Sequence, residues 1–211
     1  MDRLDAAHVA ETLAPYGVIA RPALCEQIRQ YILLLSRWNQ KISLTTLKDP
    51  DEVLKFHFGE SFFAAGSVPI NDGRLADVGS GAGFPGIPLA MVHPSLAVTL
   101  IESNVKKAAF LGEVIRTLRL KRVSVMRSRM EELSKDLPKF DFITARALGM
   151  PTALLSWAHG FLVNSGRIVL WLGEKDCRAI SNDSSWDWRD PIHIPGSRSR
   201  CLLVGSPKPR D

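Results

Sequence analysis

Residues 75–90, with the sequence LADVGSGAGFPGIPLA, decide the fold of this chain. An apolar run ends at Val78 and is followed by Gly79, Gly81 and Gly83, after which a helix-like apolar segment begins. Glycine lets the backbone approach a ligand closely and adopt positive φ angles without steric penalty. A plain turn between a strand and a helix does not need three alternating glycines. The stretch therefore predicts a ligand-binding loop at the end of a strand.

Short apolar segments alternate with helix-like segments around and after this loop. The predicted strands cover residues 75–78, 97–101, 123–126, 140–145 and 168–172. Strands that alternate with helices form β-α-β units, which build a parallel sheet with right-handed crossovers. We therefore predict an α/β fold with a doubly wound parallel sheet and a ligand crevice at the carboxyl ends of its strands.

The N-terminal part of the chain has helical patterns instead. Residues 22–38 form its longest apolar-periodic stretch, and Asp49-Pro50 opens another helix that ends near Gly66. We expect residues 1–66 to form a helical extension that packs against a ligand-binding domain of residues 67–211.

The tail and the cysteines give weaker signals. Residues 193–204 are expected to form an irregular edge hairpin, because Pro195-Gly196 interrupts them. The three cysteines, Cys25, Cys177 and Cys201, include no C-x-x-C pair, so we expect reduced thiols, with no disulfide framework and no metal site.

The composition fits one core domain of a cytoplasmic protein. The chain has 211 residues, of which 45% are hydrophobic, and no stretch resembles a signal peptide or a membrane span. The net charge is +5, yet residues 104–129 alone carry eight basic side chains and one acid. This basic block either forms a patch that faces a polyanion or is a solvated helix face.

The spacing of the glycines indicates the class of cofactor. A dinucleotide site requires G-x-G-x-x-G, whereas Phe84 occupies the place of the last glycine here. The chain instead has D-x-G-x-G-x-G, a spacing that suits a methionine-bearing nucleoside such as S-adenosylmethionine, which has no phosphate. Asp77 would weaken the binding of a pyrophosphate but can hold an ammonium group, directly or through water. Its alternative role is to cap a helix or form the turn.

Two further acidic positions follow later strands. Glu102 ends the second predicted strand, where a carboxylate can accept hydrogen bonds from both ribose hydroxyls. Met130-Glu131 follows the third strand, where the pair can meet an adenine ring, or can form an ordinary loop with an exposed acid.

These residues closely resemble a known family. DVGSGAGFPGIPLA is followed by IESNVKKAAFL, SRMEEL and FDFITARAL, and is preceded by RWNQKISLTTLKDPDEVLKFHFGES. The same segments occur in the same order in the RsmG (GidB) family of bacterial small-subunit ribosomal RNA methyltransferases. The resemblance spans residues 37–147, and Phe84-Pro85-Gly86-Ile87-Pro88 is its most specific part.

The resemblance implies a class I methyltransferase of Rossmann-like fold. It also implies transfer of a methyl group from S-adenosylmethionine to guanine N7 in 16S ribosomal RNA. The RNA substrate would be either free or part of the 30S subunit. The implied cofactor residues, beside Asp77, are Gly79, Gly81, Gly83, Phe84, Glu102, Ser103, Met130, Glu131 and Arg146. Arg146 would hold the cofactor carboxylate or a substrate phosphate, or else form a salt bridge to Asp77 or Glu102. The chain departs from the family pattern at Ser43, Glu60 and Leu172.

Methylation of guanine N7 requires no general base, because N7 carries a lone pair and no proton. We therefore assign no catalytic residue, and only Arg146 is kept open for such a role. The Asp/Asn-Pro-Pro-aromatic loop typical of amine methylation is replaced by Thr144-Ala145-Arg146-Ala147, and no cysteine lies at a strand end where it could attack a pyrimidine. His57 is expected to be a core or capping histidine.

An RNA substrate favours the first interpretation of the basic block. The RNA-binding residues are predicted to be Lys106, Lys107, Arg127 and Arg129, which are expected nearer the crevice, in a stripe that leads phosphates toward the methyl donor from a cluster at a helix end: Arg116, Arg119, Lys121 and Arg122. We expect a monomer without a bound metal. Two alternatives remain from the sequence: a small nicotinamide-dependent oxidoreductase, and an RNA-binding or ribosome-assembly factor without catalysis.

Overall fold

The computed structural model describes residues 4–134, 136–146 and 151–209. The helices are α1 (Ala6–Leu13), α2 (Pro22–Asn39), α3 (Pro50–Glu52), α4 (Glu60–Ser67), α5 (Gly86–Val92), α6 (Val105–Thr117), α7 (Pro151–Phe161) and α8 (Glu174–Ile180). A π-helical segment, Val53–Gly59, joins α3 to α4, and short 3-10 turns cover Ala14–Tyr16 and Met130–Glu132. The strands are β1 (Arg74–Val78), β2 (Ala97–Ile101), β3 (Val123–Met126), β4 (Phe140–Arg146), β5 (Leu162–Gly173), β6 (Trp186–Trp188), β7 (Ile192–His193) and β8 (Arg200–Pro207).

The strands form one sheet in the order β3-β2-β1-β4-β5-β8-β6, and β7 also pairs with β8. Neighbouring strands among β1 to β5 are parallel, and β8 runs antiparallel to β5 and β6. The five predicted strands and their parallel arrangement are confirmed. The expected hairpin in the tail is confirmed, since β7 and β8 pair antiparallel across a turn that contains Pro195-Gly196. Its expected edge position is wrong for β8, which is a regular strand inside the sheet, because its apolar side chains from Cys201 to Val204 are buried beside β5.

Helices cover both faces of the sheet, as the doubly wound fold predicts. On one face α5, α6 and the N-terminal helices share a hydrophobic core with side chains such as Leu75 and Leu100. On the other face α7 and α8 enclose a second core with side chains such as Ile143 and Leu170. Alternation along each strand sends successive side chains to opposite faces, so both faces are apolar.

The N-terminal helices belong to the first of these cores. Helix α2 begins at Pro22, where the missing N–H costs nothing, and it buries Ile28, Tyr31 and Leu35 at helical spacing while Leu33 stays 48% exposed. The helix that Asp49-Pro50 is predicted to open begins there and continues through the π-helical segment into α4. The division into units of residues 1–66 and 67–211 stays a prediction.

The expectation of three reduced thiols is wrong for two of them. Cys177 of α8 and Cys201 of β8 form a disulfide, whereas Cys25 of α2 is a free, buried thiol. The two bonded cysteines are 24 residues apart in the sequence, and they meet because β8 folds back beside β5, which precedes α8. Sequence spacing alone does not reveal that return.

Within residues 4–134, 136–146 and 151–209, no helix is both long and apolar enough to span a membrane.

The shared core yields a test on α2. We expect Ile28→Ala to lower the free energy of unfolding by about 2–5 kcal/mol, because the side chain is fully buried. Leu33→Ala on the same helix should change it by no more than about 0.5 kcal/mol. Chemical denaturation followed by circular dichroism measures both. Two separate unfolding transitions, with Ile28→Ala moving only the first, would contradict a core shared between the extension and the sheet.

Candidate cofactor and substrate site

The glycine loop follows β1 at the carboxyl edge of the sheet. Backbone N–H groups of Gly79 and Ser80 donate to the carbonyl of Ile101, at 2.9 and 3.1 Å, which ties the loop to the end of β2. Gly79, Gly81 and Gly83 all have positive φ angles, of 69°, 56° and 89°. This backbone conformation is one that residues with side chains rarely adopt, which explains the three glycines.

Two of the glycines differ in what surrounds them. A Cβ atom on Gly81 would meet only the carbonyl oxygen of Gly79, at 3.7 Å, so this part of the loop leaves room for a ligand. A Cβ atom on Gly83 would collide with the hydroxyl of Tyr31 and with Ile87. Gly81 therefore keeps the loop open, whereas Gly83 lets it pack against α2.

Asp77 lies beneath the loop with 1% of its surface exposed. Its Oδ1 accepts a hydrogen bond from the hydroxyl of Thr144 at 2.9 Å, and its Oδ2 accepts one from the N–H of Gly86 at 3.2 Å. Burial raises the pKa of Asp77 to about 7, although these hydrogen bonds act in the opposite direction. The position matches the alternative in which Asp77 caps a helix or forms the turn, because Gly86 is the first residue of α5.

Glu102 ends β2 directly beside the loop. Its Oε2 accepts a hydrogen bond from the N–H of Gly81 at 2.9 Å, and its Oε1 accepts one from the N–H of Asn104 at 2.8 Å. A carboxylate oxygen has two lone pairs, so each oxygen retains one for a further donor. The neighbouring Ser103 is exposed. The structure thus brings Glu102, Ser103 and the open part of the glycine loop together.

Phe84 is buried in a column of aromatic rings below the loop. Its ring stacks on Tyr31 at 5.2 Å between centroids and on His57 at 4.6 Å. Tyr31 also donates its hydroxyl to the carbonyl of Ala82, so α2 supports the loop from below. Phe84 is 7% exposed, and at most its edge can line a ligand site.

His57 lies in the π-helical segment at the end of this column. Its Nε2 is 2.7 Å from the hydroxyl of Thr45, and its buried Nδ1 has no partner among the described residues. Burial, and after it the charges of Arg146 and Arg200, lower the pKa of His57 to about 3, so the ring is neutral at physiological pH. The largely buried ring agrees with the expected core histidine.

Met130 and Glu131 form a short turn beyond β3, next along the same edge. Met130 is partly buried against the second core, and Glu131 is exposed. Because β3, β2 and β1 are neighbours in the sheet, the predicted adenine, ribose and methionine positions follow one another along its carboxyl edge.

Arg146 ends β4 and binds a carboxylate that the sequence does not suggest. Its Nη2 lies 3.0 Å from Oε2 of Glu60, so the predicted alternative of a salt bridge to Asp77 or Glu102 is wrong. Those two carboxylates are occupied by Thr144 and by backbone N–H groups, whereas Glu60 reaches Arg146 from α4. Ala147, the next residue of the predicted motif, lies outside the described residues.

Glu60 is also bound by a second arginine. Nη1 of Arg200 lies 2.8 and 2.9 Å from the two carboxylate oxygens of Glu60, and Trp171 donates its indole N–H to the backbone carbonyl of Glu60. The sequence marks Glu60 only as a departure from the family pattern and suggests no role for Arg200. An acid on an apolar helix face is the signal that could have found this cluster, because a buried carboxylate requires cationic partners.

The basic block is divided between two edges of the sheet, as expected from its division between a helix end and the crevice, and its role as an RNA stripe stays a prediction. Lys106 and Lys107 lie in the first turn of α6, and Arg127 and Arg129 follow β3, all at the carboxyl edge. The remaining four basic residues lie at the end of α6 and before β3, at the opposite edge: Arg116, Arg119, Lys121 and Arg122. Only the first group borders the crevice.

In residues 4–134, 136–146 and 151–209 no cluster of three or more His, Cys, Asp or Glu side chains suits a metal ion.

Comparison with known proteins gives the same picture over most of the chain. The family model described as rRNA small subunit methyltransferase G matches residues 24–186. The ribosomal RNA small subunit methyltransferase G of Stenotrophomonas maltophilia is 37% identical over 203 residues, covering 94% of this chain and 93% of that protein. The protein of the same name from Roseiflexus castenholzii is 35% identical over 190 residues, covering 85% and 81%.

Solved structures support the fold. A SAM-dependent methyltransferase from Aquifex aeolicus superimposes with a TM-score of 0.61 at 19% identity, covering 75% of this chain and 93% of that chain. A mutant of MtNAS in complex with S-adenosylmethionine has a TM-score of 0.60 at 15% identity, covering 99% and 86%. These are class I methyltransferase-like folds, in agreement with the predicted fold class. With relatives this similar over nearly their whole length and a family match over residues 24–186, the chain belongs to the ribosomal RNA small subunit methyltransferase G family.

Proposed function

We propose that this chain transfers the methyl group of S-adenosylmethionine to N7 of a guanine in 16S ribosomal RNA. The observation that carries the proposal is the glycine loop, open at Gly81, beside the carboxylate of Glu102 at the next strand end. Membership of the family and the names of its relatives supply the substrate.

The charges around the loop suit this cofactor better than a dinucleotide. Asp77 and Glu102 place two carboxyl groups where a pyrophosphate would add further negative charge. S-adenosylmethionine carries no phosphate, and its sulfonium and ammonium groups are positive. In the proposed assignment, Met130 and Glu131 contact the adenine of the cofactor, and Glu102 and Ser103 bind its ribose. The glycine loop and Phe84 contact the methionyl group, and Arg146 lies past the end of that group.

The bound cofactor supplies an electrophilic methyl group. The residues of this chain then have to place guanine N7 in line with that methyl group and to exclude competing nucleophiles. In well-oriented systems, such placement lowers the reaction barrier by up to about 7–11 kcal/mol. Proton abstraction is unnecessary, and the neutral, buried His57 is not arranged as a general base. We assign catalysis to positioning, with no residue as acid or base.

The RNA approaches, in this proposal, over the carboxyl edge of the sheet. Lys106, Lys107, Arg127 and Arg129 lie there and contact phosphates, which fixes the register of the RNA without reading its sequence. We further propose that one chain acts alone in the cytoplasm, and that residues 1–66 and 67–211 form the helical extension and the methyltransferase domain.

Calorimetric titration and a transfer assay test the function directly. We expect micromolar binding of S-adenosylhomocysteine, no binding of NADH, and transfer of a labelled methyl group to 30S subunits or 16S RNA, with 7-methylguanosine as the product nucleoside. Binding of NADH instead would indicate the oxidoreductase. RNA binding without cofactor binding would indicate an assembly factor.

Asp77 predicts a pH dependence of cofactor binding. A pKa near 7 means that the carboxyl group is protonated well below this pH and ionised above it, and the ionised form attracts the ammonium group. The affinity for S-adenosylhomocysteine should therefore rise by about fivefold or more from about pH 6 to about pH 8. Titrations across this range should show the rise in the wild type and in Asp187→Asn, an exposed control, and should lose it in Asp77→Asn.

The same carboxyl group affects stability with a definite sign. The pKa of Asp77 is higher in the folded than in the unfolded chain, so the folded state binds more protons between about pH 4 and about pH 7. Relative to Asp77→Asn, the wild type should lose free energy of unfolding as the pH rises through this window. An affinity and a stability that are both independent of pH would contradict the role of Asp77.

The divided basic block predicts different effects at the two edges. Lys106→Glu combined with Lys107→Glu should raise KM for 30S subunits by about tenfold or more, because phosphate contacts are replaced by repulsion, while the affinity for S-adenosylhomocysteine stays unchanged. The control combines Lys121→Glu with Arg122→Glu, which makes the same change of charge at the opposite edge and should leave KM nearly unchanged. Equal effects of the two pairs in steady-state kinetics would place the RNA elsewhere.

A further inference from the structure

The contact between Arg146 and Glu60 is weaker than two such groups normally make. An arginine and a carboxylate favour a fork in which two nitrogens face two oxygens. Arg146 approaches Glu60 most closely from Nη2, which lies 3.0 Å from Oε2. Its other terminal nitrogen, Nη1, is buried and has no hydrogen-bond partner among the described residues. A buried donor without a partner is unfavourable and calls for an explanation.

Arg200 shares this carboxylate with Arg146. Its Nη1 lies 2.8 Å from one carboxylate oxygen of Glu60 and 2.9 Å from the other, so it contacts both oxygens at once. Arg146 approaches the same carboxylate at Oε2 and competes with Arg200 for it. Glu60 cannot turn away, because it is 1% exposed and its backbone carbonyl accepts the indole N–H of Trp171.

The cluster of Glu60, Arg146 and Arg200 lies at the carboxyl edge of the sheet, where the ligand crevice is expected. Arg146 is the last residue of β4, the strand beside β1, and Arg200 begins β8 opposite Gly173 at the end of β5. The side chain of Arg146 is 15% exposed, and that of Arg200 is 47% exposed. Two guanidinium groups and one carboxylate give the cluster of Glu60, Arg146 and Arg200 a net charge of +1, and His57 is neutral. The cluster therefore favours an anionic acceptor.

We propose that Glu60 and Arg200 are positioning residues that hold Arg146 through Nη2, so that its Nη1 keeps no partner among the described residues and is left for an anionic oxygen of a ligand. This inference rests on the proposed function and adds two residues to its site. The oxygen belongs either to the carboxylate of the methionyl group of the cofactor or to a phosphate of the RNA. The π-helical segment just before Glu60 fits this role, since such segments often occur at functional sites.

The decisive variant is Arg200→Gln. It leaves the pair of Glu60 and Arg146 with balanced charge and frees both carboxylate oxygens, so Arg146 should close into a fork and withdraw Nη1. A crystal structure of the variant shows this directly. Arg189→Gln is the matched control, because Arg189 is exposed and lies beyond β6, away from the carboxyl ends of β4 and β5.

Binding and kinetics identify the source of the oxygen. If it is the cofactor carboxylate, Arg200→Gln weakens S-adenosylhomocysteine by about tenfold or more but leaves 5′-methylthioadenosine, which lacks the carboxylate, unchanged. If it is an RNA phosphate, both affinities stay unchanged, KM for 30S subunits rises by a similar factor, and the salt dependence of RNA binding becomes shallower. Arg200→Lys, which keeps the charge and can hold Glu60, should restore most of the loss.

A second variant separates positioning from a structural role. Because Arg200 acts through Arg146, the effect of Arg200→Gln should vanish in an Arg146→Lys background, where no fork can form. The proposal is overturned if Arg200→Gln changes neither binding nor KM, if its effect persists in that background, or if it lowers only the melting temperature. A wild-type protein that binds no S-adenosylhomocysteine and methylates no RNA would refute the proposed function instead, while the fork seen in the crystal would still test the geometry.

Discussion

The hydrogen bonds of the Asp77 carboxylate join three pieces of backbone on which the crevice is built. Asp77 comes from β1, Thr144 from β4 and Gly86 from the start of α5, and the carboxylate lies between them with almost no exposure. The glycine loop spans the gap between Asp77 and Gly86, so its course is fixed at both ends. A buried carboxyl group is normally unfavourable, and the raised pKa shows that burial outweighs the favourable hydrogen bonds. One side chain, Asp77, thus fixes the course of the glycine loop and also places an ionisable carboxyl group beneath it.

The N-terminal helices contribute to the site as well as to the core. Tyr31 of α2 supports the loop through Ala82 and stacks on Phe84, and His57 also stacks on that ring. Glu60, the first residue of α4, binds both arginines. The N-terminal helices therefore contact the glycine loop and the last residue of β4, in addition to their place in the first hydrophobic core.

Local patterns predict the sheet and the strand-end residues well. In parallel β-α-β units all strands end at one edge, so the sequence alone is enough to place Glu102, Met130 and Arg146 together. The partners of these residues cannot be placed in the same way. Glu60 and Arg200 are 140 residues apart, and their contact depends on β8 folding back beside β5, which no local periodicity records. The disulfide between Cys177 and Cys201 escapes prediction for the same reason.

The place of β8 in the sheet also has a consequence for the order of events during protein synthesis. A ribosome makes the glycine loop, Glu102 and Arg146 well before residue 200, and those parts can adopt their local structure as they emerge. Arg200, however, is the first residue of a strand that lies between β5 and β6, so Glu60 acquires its second cation only when that late segment has been translated and inserted. A nascent chain that still lacks this segment has Arg146 alone on Glu60, a pair of balanced charge, so the net positive charge of the three-residue cluster is complete only once β8 has joined the sheet.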